Sequence, residues 1–217
     1  LRQQYPGIQG IGYLERVTTN EKELFVDQAI AEGQPDFHSW PDTGQSTYMP
    51  ILYIEPLYKR NEVALSYDMS SESVRKAAMD KAVQTGKPAM SGKVTLVQEI
   101  DQDKQAGFLI YLPVFRGGVI PATAQEREAN LQGFVYSPFR ADDLLRGILG
   151  GEKSPQIDFR VYDGKVTPEN LLHDSRNFGP VFTKAYKSRF ETTETAQVGG
   201  HTWTILYASN QAFDAAS

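Results

Sequence analysis

The feature that most constrains the fold is a run of short strand-like segments, interrupted by one amphipathic helix, across the middle of the chain. The strand-like segments are YMPILYIEPL, EVALSYDM, VTLVQEI, GFLIYLPVF and LQGFVYSPF. They are rich in β-branched and aromatic residues, and the short polar connections YKRN and DQDKQA favour antiparallel pairing. The helix ESVRKAAMDKAVQT follows Ser70 or Ser71 as its cap and ends at Gly86. This order predicts an α+β fold with antiparallel sheets.

The segments before this run add a strand and a helix. IQGIGYLERV alternates and predicts a strand, and NEKELFVDQAIAEG predicts a helix with cap candidates at Thr18 to Asn20 and an end at Gly33. Later in the chain, Thr123 and Glu126 have the spacing of a capping box, which predicts a helical turn in AQEREAN. ADDLLRGIL then predicts a short helix.

The last quarter of the chain has a different organisation. GGEKSPQ, at residues 150–156, has the composition of a linker. Beyond it, the segments IDFRVYDG, FTKAYKSRFE, TAQVG and HTWTILYAS are mostly strand-like. We therefore divide the chain into a larger lobe, residues 1–150, and a smaller β-rich lobe, residues 151–217.

Composition excludes several classes of function. The hydrophobic fraction of 40% and the charged fraction of 23% are typical of a soluble globular protein, without a membrane-spanning run or a signal peptide. The net charge is −5 and Lys and Arg are not clustered, so nucleic acid is not an expected partner. The chain has no cysteine, which excludes disulfides, thiolate nucleophiles and cysteine metal sites.

The histidines do not indicate a catalytic site. The chain has three, His38, His173 and His201. His173 begins the run HDS, but residues adjacent in sequence do not make a relay, since catalytic triads are assembled in space. We therefore expect no enzymatic activity.

Two other motifs are also read as structural. Gly117 and Gly118 follow a strand but open no helix, so a phosphate site is not expected there. Glu99, Asp101 and Asp103 alternate in a turn, without the glycine and the terminal Glu of a calcium loop. This pattern favours a solvated polar turn, and the sequence indicates no metal site and no cofactor.

Arg75 is the most informative position on the central helix. One face of that helix is apolar and consists of Val74, Ala78, Met79 and Ala82. Arg75 falls angularly inside this face, where a charge must be paired, extended to water or used for a ligand. The alternative is an arginine at the rim of the face, with its stem packed and its head in water.

Side chains on the predicted strands would form the walls of a pocket beside Arg75. Leu109, Tyr111 and Pro113 share one face of their strand by alternation. The complete set of wall candidates is Val97, Leu109, Tyr111, Pro113, Tyr67, Val135 and Ser137. Core packing is the alternative role for each of them. Asp68, at a strand-to-helix junction, is expected to accept backbone hydrogen bonds from the coming helix.

Pro113 interrupts the apolar run GFLIYLPVF, although proline cannot donate a ladder hydrogen bond. Two interpretations are open. The family resemblance described below implies that Pro113 lies near the end of its strand, where the chain is about to leave the sheet. The alternative is a plain edge strand. Both are compatible with a sheet wall that faces a pocket.

The segment SYDMSSESVRKAAMDKAVQTGKPAMSGKVTLVQE, followed by GFLIYLPVF and GFVYSPFRADDLL, resembles the CHASE domain. The signals are DM at a strand end, a helix ending in TGK, the PVF strand end and a glycine-led strand that runs into a phenylalanine. The resemblance covers residues 5 to 150 best. It implies two PAS-like lobes, one membrane-distal and one membrane-proximal, with the N-terminal stalk helix largely missing here.

The resemblance also implies a function. CHASE domains are extracytoplasmic sensing domains of bacterial histidine kinases, cyclic-dinucleotide enzymes and plant cytokinin receptors. We therefore expect a periplasmic ectodomain, trimmed from an inner-membrane receptor, that binds a small molecule in the distal lobe and is a homodimer in the full-length receptor. The alternative is a structural, dimerisation or protein-interaction ectodomain with a vestigial pocket.

The resemblance bears on Arg75 directly. In cytokinin-binding members an acidic residue of this helix contacts the adenine ring, and alignment from TGK places Arg75 at that position. This departure argues against a cytokinin. The planar guanidinium suits carboxylate or phosphate, so we expect a small ligand that is at least partly anionic.

Overall fold

The strands of the computed structural model form two main antiparallel sheets, one in each half of the chain. The structure describes residues 6–100, 102, 104–149, 157–178 and 186–216. Helices pack against the first sheet and between the two sheets. The predicted α+β fold with antiparallel, PAS-like lobes is therefore confirmed.

The first lobe is built on one large sheet. Its strands are β1 (Ile11–Glu15), β2 (Val17–Thr18), β3 (Thr47–Tyr48), β4 (Ile51–Glu55), β5 (Ala89–Met90), β6 (Val94–Thr95), β7 (Ala106–Phe115) and β8 (Leu131–Arg140). The large sheet has the order β4-β1-β8-β7-β5, with β6 also paired to β7, while β2 and β3 pair with each other. The two ten-residue strands β7 and β8 are thus the centre of the lobe.

Five helices belong to this lobe. They are α1 (Lys22–Ala31), α2 (Lys59–Glu62), α3 (Ser73–Thr85), α4 (Ala124–Asn130) and α5 (Ala141–Leu149). α3 buries Ala78, Met79 and Ala82 against the inner face of the sheet, which forms the main hydrophobic core. The predicted end of α3 is confirmed, because Gly86 adopts the left-handed conformation with φ of 66°.

The starts of the helices agree only partly with the prediction. The capping box of Thr123 and Glu126 is confirmed, since each side chain accepts a hydrogen bond from the other's backbone N–H. Thr18 caps the turn that leads into α1, also with a capping box. The cap predicted for α3 is wrong. Glu72 takes that position, and its carboxylate accepts the N–H groups of the next residues, at 2.9 and 3.1 Å.

Two predicted strands are largely absent from the described sheet. EVALSYDM was expected to pair with YMPILYIEPL, but the chain instead forms α2 and a turn in which Ser66 has a positive φ of 62°. Tyr67 and Asp68 make only isolated bridges. The segment VTLVQEI is a strand only at β6, since a turn follows in which Glu99 N–H donates to the Leu96 carbonyl.

Pro113 lies near the end of β7, in a stretch without a neighbour on one side. The N–H and carbonyl of Leu109 both bond to Ser91, on the β5 side of the strand. Residues two apart point the same way, so the nitrogen of Pro113 also faces the β5 side. β5 begins at Ala89, opposite Tyr111, and does not reach Pro113. The first interpretation of this proline is confirmed, because no ladder bond is lost.

The second lobe is a four-stranded sheet. Its elements are β9 (Ile157–Asp163), β10 (Leu171–Asp174), β11 (Glu191–Val198), β12 (His201–Ser209) and α6 (Gln211–Ala216), with strand order β10-β9-β12-β11. TAQVG is the end of the longer β11. The predicted strand FTKAYKSRFE falls partly outside the described residues, and its described part, 186–190, precedes β11 without forming a strand. The predicted linker 150–156 also lies outside them, so the domain boundary stays a prediction.

A second hydrophobic cluster joins the two lobes. Met90, Phe108 and Leu145 of the first lobe pack with Val161 and Trp203 of the second. The rings of Phe108 and Trp203 meet edge to face, with centroids 5.5 Å apart. The lobes therefore share an apolar interface. No helix in the described ranges is long and apolar enough to cross a membrane.

Candidate functional site

Arg75 lies buried between α3 and the sheet. The residue is only 4% exposed, so the alternative of a guanidinium in water at the rim is wrong. Its Nη2 donates to the Thr95 carbonyl at 2.7 Å, and its Nη1 lies 3.4 Å from the Glu72 carboxylate. The guanidinium also sits 5.5 Å from the centre of the Tyr67 ring. Its Nε is buried and has no hydrogen-bond partner within the described part of the chain.

Two tyrosines lie on the sheet that faces this arginine. Tyr111 and Tyr136 are directly opposite each other on β7 and β8, fully buried, with ring centroids 6.3 Å apart. The Tyr111 hydroxyl donates to the thioether of Met69, at 3.6 Å, which is a weak acceptor and its one hydrogen-bond partner among the described residues. The Tyr136 hydroxyl has no partner among the described residues.

Both tyrosine hydroxyls are held in the protonated form. Burial raises the pKa of Tyr111 and of Tyr136 well above the ordinary value for tyrosine, and the positive charge of Arg75 opposes the shift only in part. The two hydroxyls and the Arg75 Nε are therefore hydrogen-bond donors in a place that water does not reach. We call Arg75, Tyr67, Tyr111 and Tyr136 the arginine–tyrosine cluster.

The structure brings most of the predicted wall residues to this cluster. Leu109, Tyr111 and Pro113 pair with Pro138, Tyr136 and Phe134, and all six are buried on the inner face of the sheet. Val97 and Tyr67 are half-buried and pack against the same core.

Val135 and Ser137 were expected at the same wall, but they lie on the opposite face. Successive residues of a strand point to opposite faces, and Tyr136 occupies the inner one. Val135 pairs with Leu112 and is 36% exposed. The Ser137 hydroxyl donates to the Gly10 carbonyl, at 2.8 Å. The structure therefore does not bring these two residues to the arginine–tyrosine cluster.

Sequence reasoning missed Tyr136 and Gln98. The sequence does contain one indication that the Tyr136 ring lies against the neighbouring strand. Its partner on β1 is Gly12, and the ring occupies the space that a Cβ at this position would need. Gln98 is 1% exposed, and neither atom of its amide has a partner among the described residues. Nothing in its local sequence indicated burial.

Asp68 organises the loops at one end of the cluster. Its Oδ1 accepts hydrogen bonds from Met49 N–H, Ser70 N–H and the Ser70 hydroxyl, at 2.8, 3.0 and 2.6 Å. Its Oδ2 accepts from the Gln45 amide at 2.7 Å. The residue is fully buried. The predicted structural role is confirmed in part, because Asp68 accepts the N–H of Ser70 in the turn that precedes α3. Its other backbone donor, Met49, lies just before β4, and the first N–H groups of α3 bond to Glu72 instead.

Glu99 is not part of a solvated turn, contrary to expectation. It is 5% exposed, and its carboxylate lies 2.8 Å from the Arg140 Nε and 3.7 Å from Arg60. Arg140 also pairs with Asp143 at 2.9 Å. Burial is possible because the charges compensate one another. Asp101 and Asp103 lie outside the described residues.

The run HDS does not assemble a relay. The His173 Nδ1 lies 2.6 Å from Asp142 of α5, while Asp174 holds Arg176 through two bonds. The Ser175 hydroxyl accepts the N–H of Phe159. Each member of the run therefore has a different structural partner.

Two lobes with antiparallel PAS-like sheets are the architecture that the resemblance to CHASE domains implied, and the first lobe encloses a buried polar cluster under a helix. The chain belongs to the CHASE domain family, whose model matches residues 1–173. A comparison with curated proteins finds no match.

Solved structures of sensory domains also align with the chain. It is 10% identical to the periplasmic sensory domain of the Campylobacter jejuni chemoreceptor Tlp1, with a TM-score of 0.49, covering 93% of this chain and 72% of that one. The ligand binding domain of the Pseudomonas aeruginosa amino acid chemoreceptor PctB, in complex with L-Arg, is 10% identical, with a TM-score of 0.44. This alignment covers 81% of this chain and 71% of the PctB domain. An extracellular ligand binding receptor from Desulfohalobium retbaense is 12% identical, with a TM-score of 0.44. That alignment covers 74% of this chain but only 28% of the receptor, so this chain spans about a quarter of the receptor's length.

Proposed function

We propose that the distal lobe binds a small, at least partly anionic molecule at the arginine–tyrosine cluster. The observation that carries this proposal is the buried Arg75, whose Nε has no partner among the described residues. An unpaired buried donor on a charged group is costly, and a ligand that accepts from it would remove that cost. A guanidinium suits carboxylate or phosphate geometry.

The surroundings of Arg75 support the same ligand class. The protonated hydroxyls of Tyr111 and Tyr136 add two donors without strong acceptors of their own. Glu72 is the acidic residue in contact with Arg75, but its carboxylate is also engaged as the cap of α3. A cationic ligand would be repelled by the guanidinium and would find hydrogen-bond donors where it needs acceptors. An anionic ligand would meet complementary groups.

We infer that the domain is the sensing part of a periplasmic, inner-membrane receptor that ends in a histidine kinase or a cyclic-dinucleotide enzyme. In this receptor two copies form a homodimer, and ligand binding favours one arrangement of the dimer. The proximal lobe passes that preference to the membrane helices. The signal cannot exceed the difference between the ligand's affinities for the two arrangements.

A binding screen tests this function. The purified domain is mixed with small carboxylic acids, phosphates, amino acids, nucleobases and adenine-type cytokinins, and unfolding is followed by heat. A ligand present at about a hundred times its dissociation constant adds about 2.7 kcal/mol of stability. We expect the stabilising ligand to be an anion, and Arg75→Gln to abolish its effect.

Lys76→Met is the matched control. It removes one positive charge from the next residue of α3, where the ammonium lies on the exposed side and pairs with Asp80. Binding should survive in this variant. A cytokinin as the stabilising ligand, or an anion whose effect is unchanged in Arg75→Gln, would contradict the proposed anchor.

The alternative function, an interaction ectodomain, has one observation in its favour. Tyr53, Tyr13, Val135 and Leu112 form a continuous cross-strand row on the outer face of the first sheet, and three of them are at least 36% exposed. Such a row suits a protein interface. A screen without any stabilising ligand, together with dimerisation that Leu112→Lys abolishes, would favour this function.

A further inference from the structure

A cleft between the two lobes is separate from the arginine–tyrosine cluster. The cleft has a volume of about 310 Å³. The residues of the first lobe that line it are Lys93, Thr95, Lys104, Gln105, Ala106 and Asp142. The second lobe supplies the opposite wall through Pro168, Leu171, Leu172, His173, Asp174 and Asn177. The volume is within the range of sites for small molecules.

Gln105 presents an unused acceptor at this cleft. Its amide Nε2 donates to the Asp143 carboxylate at 3.2 Å, which fixes the orientation of the amide because a carboxylate only accepts. The Oε1 atom is consequently directed away from Asp143. It is buried and has no hydrogen-bond partner within the described ranges. A molecule that donates an O–H or N–H would satisfy it.

Two lysines, Lys93 and Lys104, and two carboxylates, Asp142 and Asp174, line the cleft. Asp142 is engaged by His173 at 2.6 Å, and Asp174 by Arg176 at 2.7 and 3.0 Å. Lys104 is exposed at the cleft and forms no ion pair with the described residues.

Lys93 contributes the second cation of the cleft. Its ammonium donates to the carbonyl of Glu169, a neutral partner, and has two further protons for hydrogen bonds. The carboxylates of Asp142 and Asp174 thus have partners in His173 and Arg176, whereas neither lysine forms an ion pair with the described residues, and both can approach an anion.

We propose that the interlobe cleft is a second binding site, which takes a small hydroxycarboxylic acid. The carboxylate of the ligand lies with Lys104 and Lys93, and its hydroxyl donates to the Oε1 of Gln105. Because both lobes line the cleft, a bound molecule holds them together. The proposed ligand contacts no atom of Arg75, although Thr95, whose carbonyl accepts a hydrogen bond from Arg75, also lines the cleft.

Matched pairs of acids test the proposal by isothermal titration calorimetry. L-malate is compared with succinate and L-lactate with propionate, since each pair differs only in the hydroxyl. We expect at least one hydroxy acid to bind about tenfold tighter than its partner, as one hydrogen bond to a buried acceptor provides. Equal affinity within both pairs, or no binding of any of the four acids, would overturn the proposal.

Three variants locate the binding. Gln105→Met keeps the length of the side chain and should abolish the preference for the hydroxy acid. Lys104→Gln changes an exposed side chain and should weaken the binding of all four acids about tenfold. Arg75→Gln should leave these affinities unchanged. Loss of hydroxy acid binding in Arg75→Gln, with retention in Lys104→Gln, would instead assign the binding to the distal cluster and refute the interlobe site.

Discussion

The ammonium of Lys81 on α3 donates to the carbonyl of Gly200, in the turn between β11 and β12, at 3.0 Å. The adjacent carbonyl of Gly199 accepts the N–H of Met90, at 3.2 Å. The helix that carries Arg75 therefore also contacts the second lobe. Lys81 thus links α3 directly to the turn from which β12 begins.

Replacing Lys81 tests this route. We expect Lys81→Met to change the free energy of unfolding by less than about 1 kcal/mol, because the bond is exposed. The turn between β11 and β12 should nevertheless exchange its amide hydrogens faster, measured by mass spectrometry. Lys76→Met on the exposed side of α3 is the control. An unchanged exchange rate at the turn would show that the contact has no role.

Asp68 should be among the most sensitive positions of the first lobe. Asp68→Ala leaves several buried donors without their acceptor, so we expect a loss of about 3 kcal/mol in the free energy of unfolding. Urea denaturation measures it. Asp80→Ala removes an exposed carboxylate that pairs with Lys76 and should cost at most about 0.5 kcal/mol. Equal losses for the two variants would contradict the role assigned to Asp68.

For the buried ion cluster around Glu99 we expect a similar loss in the free energy of unfolding. In Glu99→Gln the buried Arg140 loses its closest carboxylate, so we expect about 3 kcal/mol of destabilisation. The double variant with Arg140→Met should lose clearly less than the sum of the two single variants, because the two residues act as one unit. Additive losses in thermal unfolding would mean that the pair does not interact.

Local signals explain what the sequence predicted well. α3, its end at Gly86 and the capping box of Thr123 and Glu126 depend on residues a few positions apart, so one sequence contains them. Helical periodicity placed Arg75 inside the apolar face of α3 but left open whether its guanidinium reached water at the rim, and the structure buries it. In contrast, the segment around Ser66 alternates like a strand, and only tertiary contacts make it a turn.

The remaining errors have a common physical cause. Both faces of β8 carry apolar residues, so the sequence of this strand does not show which face packs against the core. For this reason Val135 was predicted at the pocket wall, whereas Tyr136 occupies the inner face. The burial of Glu99 depends on Arg60 and Arg140, which are distant in sequence. Neither the face of a doubly apolar strand nor a long-range ion pair can be inferred from local pattern.

Tyr136 offers a test that separates stability from binding. Tyr136→Phe removes a buried hydroxyl that has no partner among the described residues, so the unliganded domain should become about 1 kcal/mol more stable. The affinity for the anionic ligand of the cluster should fall, since one donor is lost. Tyr53→Phe, on the outer face, is the control. A loss of stability in Tyr136→Phe would mean that the hydroxyl already has a partner.

The pair of Asp174 and Arg176 predicts a defined dependence on pH. Burial alone would raise the pKa of Asp174, but the hydrogen bonds from Arg176 hold it below the ordinary value. The pair therefore stabilises the fold above the pKa of unfolded aspartate, about 3.9, and this contribution is lost as the pH falls through the lower folded pKa.

In Arg176→Met the burial of Asp174 is no longer opposed, so its pKa should rise. We expect the variant to be about 1 to 3 kcal/mol less stable than the unaltered domain at about pH 7. The difference should shrink as the pH falls through the higher pKa of Asp174 in the variant towards its lowered pKa in the unaltered domain. Urea unfolding at several pH values measures the stability difference and its dependence on pH. A difference that stays constant over this range would mean that Arg176 acts through packing, because packing does not change with pH, whereas the charges of Asp174 and of the nearby Asp158 do.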